Sequence, residues 1–486
     1  MDWLFLLLLT INIISGLILI PYPINLFLLA ISSNNWKDPV ISEYYEKSKL
    51  PNVTIQLPVF NETNVIRRTL SGITKLVYPS EKLFIQILDD STDQTSLIID
   101  SIIDSLEEKG FNVEIIRRKN RKGYKAGALE NGIESGVSEF VAIFDADFQV
   151  NPHFLEKTIH YFKSNEHVGA VQTRWEHNNL RYSIFTRAMS IGLDGHFLVE
   201  KMGRKRRNAA ISFNGTGGIW RSSVIKESSG WSSETLAEDL DLAYRSQMRG
   251  YDILYLKDIT NSQEIPPTIR CWIIQQSRWA KGFSQNLRKN FIQFWMDSRG
   301  KSRIQGSIHL TQYFVPLMIL LNTSSGSLLL YFSQFKGEFL FVFGLLFTLA
   351  AFLGILAYVI AVVRAKRPLW HILLIPLFLF WGAGLIVRMG LGSLSGLLHK
   401  GGEFVRTPKF NLIDDQKIIS ASIRENIPLD RIILVELAYI VIICFGLLKS
   451  LELGGTYLSQ ALYYIFLLLS TLNLVFSELL HAYSSF

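Results

Sequence analysis

The sequence predicts a mostly parallel α/β domain inserted between membrane-spanning α-helices. Of the 486 residues, 49% are hydrophobic and 12% are aromatic, which is too apolar for an ordinary soluble enzyme. Long apolar runs lie towards both ends of the chain, whereas residues 50–300 are polar and alternate short β-branched runs with amphipathic stretches. Strands that alternate with helices are typical of βαβ units, which build parallel sheets.

The first apolar run predicts a retained membrane anchor over residues 1–31. It is almost free of charge, and it lacks the basic amino-terminal region and the small-residue cleavage site of a signal peptide. Asp2 precedes the run, whereas Lys37, Lys47 and Lys49 follow it. Because Lys and Arg favour the cytoplasmic side of a span, the carboxyl end of the anchor is expected in the cytoplasm.

Residues 50–300 are predicted to form the α/β domain, on the cytoplasmic side. The expected strands cover residues 52–59, 84–88, 112–116, 140–144 and 168–172, with helical patterns that include residues 64–75 and 94–109. Ligands of such sheets bind at the carboxyl ends of the strands. Candidate site residues fall at that edge, namely Asp89, Asp90, Asp145 and Asp147.

Apolar runs return after residue 307. Residues 308–332 and 339–363 are free of Asp, Glu, Lys and Arg, and they predict a transmembrane hairpin over residues 308–363. A second hairpin is predicted over residues 432–480. With the anchor, these hairpins make five spans, and the carboxyl terminus is expected inside.

The apolar stretch 369–398 is ambiguous, because Pro376 interrupts it and Arg388 lies within it. If it spans the membrane, the following region 399–431 lies outside, yet this region carries six Lys and Arg residues. Such a charge disfavours export. A helix in the inner interface is therefore the preferred interpretation, with a span as the alternative.

Charge and cysteine content exclude other classes of protein. The net charge of +7 is modest for this length and indicates the charge bias of a membrane protein, with no nucleic acid as partner. Two basic clusters, residues 117–122 and 204–207, are either solvated faces or contacts to anionic lipid or a diphosphate. Two cysteines, Cys271 and Cys444, allow no zinc cluster and make a structural disulfide unexpected.

Asp145-Ala146-Asp147 carries the strongest chemical signal. It follows an apolar strand, so the alternation of strand side chains points both carboxylates the same way. Two neighbouring anions at a strand end are costly unless they share a cation. Hard divalent cations prefer oxygen ligands, and Mg²⁺ commonly bridges to phosphate. A short Asp-x-Asp also arises by chance, so this motif gains weight only in combination.

Two further acidic pairs are candidates. Asp89-Asp90 ends a strand and suits a nucleotide base or ribose, although Asp also opens turns and caps helices. Thr235 and Glu238 have the spacing of a capping box, which is the structural alternative for Glu238. That cap does not account for Asp239, and Asp239 is therefore the candidate general base.

Residues 275–279, with the sequence QQSRW, precede the first carboxyl-terminal span. A Trp face stacks on sugar rings, and an Arg reaches a diphosphate oxygen. The alternative is an interfacial Trp and Arg at a membrane surface.

In combination, these motifs resemble a known family. The order Asp-Asp, Asp-x-Asp, Glu-Asp and Gln-x-x-Arg-Trp is similar to family 2 glycosyltransferases of the cellulose synthase and hyaluronan synthase type. Residues 121–129 (RKGYKAGAL), 171–175 (VQTRW) and 213–221 (FNGTGGIWR) look still more like cellulose-synthase-like A proteins, the glucomannan 4-β-mannosyltransferases, and their prokaryotic relatives. The resemblance covers roughly residues 50–480 and implies a nucleotide-diphospho-sugar transferase (GT-A-like) fold.

The resemblance also implies residue roles. The donor would be bound by Asp90, Lys125, Asp145, Asp147 and Arg278, with Mg²⁺ or Mn²⁺ on Asp147 and with Asp239 as the base. The acceptor would be bound by Trp279, Gln275, Phe213, Asn214, Gly215, Thr216 and Glu238. Residues 404–409 (FVRTPK) resemble a gating loop, with Phe404, Thr407 and Lys409 as its marked residues, which favours placing region 399–431 in the cytoplasm.

The implied activity is an inverting transfer of a hexose from a nucleotide-diphosphate sugar to a growing β-linked polysaccharide, with processive translocation across the cell membrane. UDP-glucose and GDP-mannose are the expected donors, a glycan or lipid the acceptor, and membrane lipids surround the spans. The alternative is a non-processive enzyme that makes a glycolipid, in the manner of ceramide glucosyltransferases. A non-catalytic transporter or scaffold is a third hypothesis, which the intact set of acids and the absence of an inverted repeat disfavour.

Overall fold

A computed structural model describes residues 3–297, 300–332, 337–414 and 431–483 of the chain. Residues 415–430 of the predicted gating region 399–431 lie outside the described residues, as do the first two residues of the predicted anchor and residues 298–299 and 333–336.

A seven-stranded sheet forms the centre of the polar domain, in the order β3-β2-β1-β4-β6-β5-β7. Strands β1, β2, β3 and β4 pair in parallel, β5 pairs in parallel with β7, and β6 runs antiparallel to both β4 and β5. The strands are β1 (Val53–Val59), β2 (Leu83–Asp89), β3 (Asn112–Ile116), β4 (Phe140–Ile143), β5 (Val168–His177), β6 (Gly218–Arg221) and β7 (Asp252–Gln263). The predicted mostly parallel α/β sheet is therefore confirmed.

Eighteen α-helices lie among the described residues. In chain order they are α1 (Trp3–Leu19), α2 (Pro21–Ser32), α3 (Ile66–Ile73), α4 (Thr95–Glu108), α5 (Tyr124–Ser135), α6 (Phe154–Thr158), α7 (Ile184–Gly195), α8 (Met202–Arg206), α9 (Ser222–Glu227), α10 (Glu238–Met248), α11 (Ile269–Asp297), α12 (Gly300–Thr311), α13 (Val315–Leu329), α14 (Gly337–Arg364), α15 (Ile375–Gly384), α16 (Ile386–Leu398), α17 (Ile432–Leu453) and α18 (Leu458–Tyr483). A π-helical turn, His196–Lys201, joins α7 to α8.

The central strands are buried on both faces, which is why they read as continuous apolar runs. All four residues of β4 are buried, and so are six of the seven residues of β1. Two strands were not predicted. β6 has only four residues in a glycine-rich stretch, and β7 carries the polar residues Lys257 and Asp258 at its centre.

Five helical segments are long and apolar enough to cross a membrane. They are Trp3–Ser32, Ser302–Leu329, Gly344–Arg364, Ile432–Leu453 and Gly455–Leu480. Helices α15 and α16, in the ambiguous stretch, form a pair bent by 53°. α1 packs along α13, α2 packs along α14, and α17 packs along α18. The amino-terminal segment thus packs against both helices of the predicted hairpin at 308–363.

The two basic clusters form ion pairs and contacts inside the fold. Arg117 and Arg118 pair with the acids of β2, as described below, and buried Arg204 donates from Nε to Glu200 at 3.1 Å. Lys205 pairs with Asp252. Ion pairs within the fold therefore account for Arg117, Arg118, Arg204 and Lys205, whereas Lys119, Lys122 and Arg206 are exposed. Cys271 and Cys444 are both free thiols.

Candidate active site

Lys125 links three of the predicted site elements. Its Nζ lies 2.5 Å from Asp145 Oδ1 at the end of β4, and it donates to the Gly215 carbonyl at 3.1 Å. The left-handed residue Gly123 (φ +76°) precedes α5 and places Lys125 in the first turn of that helix. Burial lowers the pKa of Lys125, but the charges of Asp145 and Glu238 outweigh burial and raise it. Lys125 therefore remains an ammonium among the acids.

The Glu238–Asp239 pair opens α10 and faces the same cluster. The cap of this helix is Ala237, which makes no side-chain cap hydrogen bond, so the capping box that was the structural alternative for Glu238 does not form. The Thr235 hydroxyl instead accepts from Asn286 on α11, at 3.3 Å. Glu238 thus has no capping role and is available to the site.

Gly215 brings the backbone directly against Asp239. Its φ is +73°, a region that favours glycine, and a Cβ there would lie 3.0 Å from Asp239 Oδ2 and 3.3 Å from Lys125 Nζ. Burial raises the pKa of the Asp239 carboxyl, and Lys125 opposes that rise. Burial, followed by the charge of Asp239, raises the pKa of Glu238. The two carboxyls therefore form a buried acidic pair beside one ammonium.

Arg278 on α11 completes the positive side of the cluster. Burial lowers its pKa, while the charges of Glu238, Asp145 and Asp239 act in the opposite direction. Its guanidinium lies 4.2 Å from the ring centroid of Phe404, and Phe404 stacks on Tyr124 at 6.4 Å between centroids. Of the remaining α11 candidates, Gln275 is buried and Trp279 is half-buried.

A cavity of about 190 Å³ opens between these elements. Its walls include Tyr124, Lys125, Thr235, Glu238 and Phe404. The site is therefore a small polar cleft between the amino ends of α5 and α10 and the segment 400–414.

The acids at the end of β2 are bound by arginines. Arg118 forms a two-pronged ion pair with Asp90, with Nε 3.0 Å from Oδ1 and Nη2 close to Oδ2. Asp89 is buried and accepts from Arg117 Nε at 2.9 Å and from Ser96 at 2.7 Å. Burial raises the pKa of Asp89, but these hydrogen bonds outweigh burial and lower it. Arg118 was not among the predicted site residues; the basic cluster 117–122 was its signal.

Asp147, the predicted metal ligand, already holds a cation. Lys409 Nζ lies 2.7 Å from Asp147 Oδ2 and also donates to the Glu264 carbonyl at 3.2 Å. Burial lowers the pKa of Lys409, but the charges of Asp147 and Glu264 raise it overall. The Lys409 ammonium thus occupies the position beside Asp147 at which the sequence predicts a metal cation.

These residues fit a divalent cation that is shared with a ligand. Among the described residues no group of three or more His, Cys, Asp and Glu side chains forms a preassembled metal cluster. Asp147 can therefore supply one hard oxygen, and water and diphosphate oxygens would supply the rest, which is how proteins usually bind Mg²⁺.

The segment 400–414 is bound over the site by several side chains. Glu264, which was not predicted, accepts from the backbone N–H groups of Phe410 and Leu412, both at 3.0 Å. Arg406 pairs with Glu62 at 2.9 Å, and burial raises the pKa of Glu62 to about 8. The predicted loop residue Thr407, in the middle of this segment, is buried.

Both described ends of the segment are fixed to the polar domain. Gln285 on α11 donates to the carbonyls of His399 and Gly401 at 3.1 and 2.6 Å, and it accepts from the Leu236 N–H at 2.7 Å. At the other end, Asp414 accepts from the Arg181 N–H at 2.6 Å.

The loop 213–216 lies between β4 and β5 and reaches the cluster from the opposite side. Buried Gln172 accepts from the Asn214 N–H at 2.8 Å, and the Thr216 hydroxyl accepts from the Asp145 N–H at 2.9 Å. Phe213 is buried against Trp220. The loop is thus held by residues of β5 and at the end of β4, and it brings Gly215 close to Asp239.

A model of the family described as glycosyltransferase like family 2 matches residues 51–287. Glucomannan 4-beta-mannosyltransferase 2 of Arabidopsis thaliana is 41% identical over 246 residues, which are 50% of this chain and 46% of that protein. Glucomannan 4-beta-mannosyltransferase 1 of Oryza sativa subsp. japonica is 38% identical over 274 residues, which are 55% of this chain and 52% of the relative. This chain therefore aligns with about half the length of the curated relatives it matches.

A solved structure shares the fold. The mannosyltransferase PcManGT from Pyrobaculum calidifontis, in complex with GDP-Man and Mn2+, superposes with a TM-score of 0.53 at 18% identity. The match covers 74% of this chain and 98% of that one. It supports the GT-A-like fold that the sequence predicted.

Proposed function

We propose that this chain, whose residues 51–287 match the model of glycosyltransferase like family 2, is a membrane-embedded inverting hexosyltransferase that extends a β-linked polysaccharide. The observation that carries the proposal is the buried charge cluster of Glu238 and Asp239 with Lys125 and Arg278, beside a small cleft whose walls include Lys125 and Glu238. A carboxylate beside two fixed cations suits the deprotonation of a hydroxyl and the departure of a diphosphate.

Asp239 acts as the general base in this reaction. It takes the proton from an acceptor hydroxyl, whose oxygen forms a bond to the anomeric carbon of the donor while the bond to the diphosphate oxygen breaks. One displacement inverts an α-linked donor into a β-linked product. The raised pKa of Asp239 makes it a stronger base than an exposed aspartate, because burial disfavours its charge.

The cations of the cleft stabilise the leaving group. Lys125 and Arg278 lie among the acids at the end of β4 and the start of α10, where a diphosphate would gain negative charge. A divalent cation on Asp147, when bound, would neutralise part of that charge. We assign Asp90, with its partner Arg118, to the nucleotide, and Asn214, Gln275 and Trp279 to the acceptor.

GDP-mannose is the first donor to test, and UDP-glucose is the second. The curated relatives are named as glucomannan 4-beta-mannosyltransferases, and the similar solved structure is a complex with GDP-Man and Mn2+. The five apolar helical segments support a location in a membrane. That this is the cell membrane, with the catalytic domain in the cytoplasm and processive translocation of the product, is part of the proposal. Transfer of one hexose to a lipid is the second candidate.

The test uses the full chain purified in detergent or nanodiscs, with Mn²⁺ or Mg²⁺ and a panel of nucleotide sugars. Sizing and digesting the product separates a polymer from a glycolipid. Asp239→Asn should lower turnover by about 10²-fold or more while nucleotide binding persists. The matched control is Asp258→Asn, an exposed residue of β7, which should keep full turnover. Undiminished activity of Asp239→Asn would refute the assignment of the base.

A further inference from the structure

A buried polar network lies behind the loop 213–216, on elements that the sequence did not mark as functional. Its centre is the π-helical turn His196–Lys201 between α7 and α8. Such turns are rare and often occur at functional sites, because the wider turn redirects side chains. Here Lys201 Nζ donates to the Ser212 carbonyl, and His196 reaches Asn214. The π-helical turn therefore contacts both Asn214, in the loop 213–216, and Ser212, the residue directly before that loop.

Two polar groups of Asn214 have neighbours that hold them. Its backbone N–H donates to Gln172 Oε1 at 2.8 Å, and its side-chain Nδ2 lies 3.1 Å from His196 Nε2. Its side-chain Oδ1 is buried and has no hydrogen-bond partner among the described residues. A buried acceptor without a donor is unfavourable, so it points to a ligand that supplies the donor.

Glu200 fixes which nitrogen of His196 carries the proton. Its Oε2 lies 2.9 Å from His196 Nδ1, and its Oε1 accepts from Arg204 Nε at 3.1 Å. Burial raises the pKa of Glu200, but the charge of Arg204 and the hydrogen bond from His196 outweigh burial and lower it. An ionised carboxylate accepts only, so Nδ1 is the donor in this pair.

The orientation of the Asn214 amide follows from that tautomer. In a singly protonated imidazole with its proton on Nδ1, Nε2 is an acceptor, and the amide NH₂ of Asn214 faces it at 3.1 Å. Oδ1 is then the amide atom that does not face His196. A Cβ on the next residue, Gly215, would lie 3.0 Å from Asp239 Oδ2, so the unpartnered oxygen belongs to the residue that directly precedes this contact with the proposed base.

We propose that His196, oriented by Glu200, is a positioning residue that holds the Asn214 amide so that Oδ1 accepts a hydrogen bond from a hydroxyl of the acceptor sugar. This inference rests on the proposed function, because the ligand is the acceptor of that reaction. His196 does not touch the acceptor; it fixes the group that does.

Two substitutions at one position separate positioning from simple packing. In His196→Gln the amide oxygen replaces Nε2 and still accepts from Asn214, whereas in His196→Asn the shorter amide keeps a polar group only near Glu200. The full chain is assayed with β-1,4-mannotetraose as acceptor. His196→Asn should raise the acceptor KM by about tenfold, the size of one hydrogen bond. His196→Gln should stay close to the wild-type value, and the donor KM should change in neither variant.

A double-mutant cycle tests whether the effect passes through Asn214. Asn214→Ala alone should raise the acceptor KM by a similar factor, and adding His196→Asn should produce no further increase. Additive effects, equal losses in both His196 variants, or a larger loss in His196→Gln would overturn the inference.

A binding measurement keeps the inference testable if the proposed function fails. If the wild-type chain transfers no sugar from any donor, the proposed function is wrong. Calorimetric binding of mannotetraose to the wild-type chain and to both His196 variants then decides the matter. Weaker binding in His196→Asn alone supports the inference, whereas equal binding by all three, or no binding by the wild-type chain, overturns it.

Discussion

Replacing Lys409 should strengthen the binding of a divalent cation to this protein in the absence of nucleotide. Lys409 Nζ lies 2.7 Å from Asp147 Oδ2, where the metal is expected, and the ammonium must leave before a metal can bind. In Lys409→Met the side chain keeps most of its length and loses its charge. Asp147 then loses the cation that contacts its carboxylate directly.

The expected gain follows from the burial of the ion pair. The side chains of Lys409 and Asp147 are only 13% and 6% exposed. A hydrogen bond between charged groups contributes about 1.5 to 3 kcal/mol, which corresponds to about 10- to 150-fold in an equilibrium constant. While Lys409 is paired with Asp147, the carboxylate is available to Mn²⁺ only part of the time, and the apparent affinity is reduced accordingly. Lys409→Met should therefore lower the Kd for Mn²⁺ by about 10- to 150-fold.

The assay is a titration of the purified full chain with Mn²⁺, in which the electron paramagnetic resonance signal of free Mn²⁺ reports binding. Lys400→Met is the matched control, because Lys400 belongs to the same segment but forms an exposed ion pair with Glu234. This control should leave the Kd unchanged. Asp147→Asn should weaken binding strongly, with or without Lys409.

Two results would refute the reasoning. If Lys409→Met binds Mn²⁺ no more tightly than the wild-type chain, the ammonium does not compete with the metal. If Asp147→Asn leaves Mn²⁺ binding intact, the metal is held elsewhere and Lys409 is not its stand-in.

Three other predictions concern the base, its glycine neighbour and the membrane helices. Because burial raises the pKa of Asp239 and the reaction needs its carboxylate, activity should be lost as pH falls through a value above about 4, the usual aspartate pKa; a pH profile of kcat/KM with its acid limb at or below that value would contradict this. Gly215→Ala should lower stability by about 1 to 2 kcal/mol, because φ is +73°, and should lower kcat because the methyl group meets Asp239; thermal unfolding and turnover measure the two effects. Arg388→Met should destabilise the chain by about 3 to 5 kcal/mol in thermal unfolding, because it leaves Glu436, 2.7 Å away, buried and uncompensated. Lys449→Met is the control, because it breaks an exposed ion pair and should cost less than about 1 kcal/mol.

The sequence predicted the strands correctly where the pattern of apolar residues matches the burial of the strand in the sheet. Strands β1 and β4 are apolar because neighbouring strands and helices cover both of their faces, so their positions and their order of alternation could be read directly. β6 could not, because a four-residue strand between glycines carries too little pattern. Its antiparallel pairing with β4 and β5 depends on contacts distant in sequence.

The site was predictable at its acids and much less so at their partners. Asp145 and Asp147 lie at a strand end, which is a local property of the sequence. The ion pair of Asp90 with Arg118 joins residues that are close only after β2 and β3 align. The capping-box alternative for Glu238 does not form, and the partner that the Thr235 hydroxyl has instead, Asn286, lies on a helix much later in the chain. The role of Glu200 was equally hidden, since a π-helical turn has no sequence pattern of its own.

The double attachment of the segment 400–414 has a consequence for how the cleft opens. At one end of the segment Gln285 donates to the Gly401 carbonyl, and at the other end Asp414 accepts from the Arg181 N–H. About twelve residues lie between these two attachment points. That length of chain reaches roughly 40 Å when extended, far more than an arch over one nucleotide sugar requires. The middle of the segment can therefore move away from the cleft and release Asp147 while both attachment points stay in place. Admission of the donor then costs the rupture of a few ion pairs and needs no movement of the membrane helices.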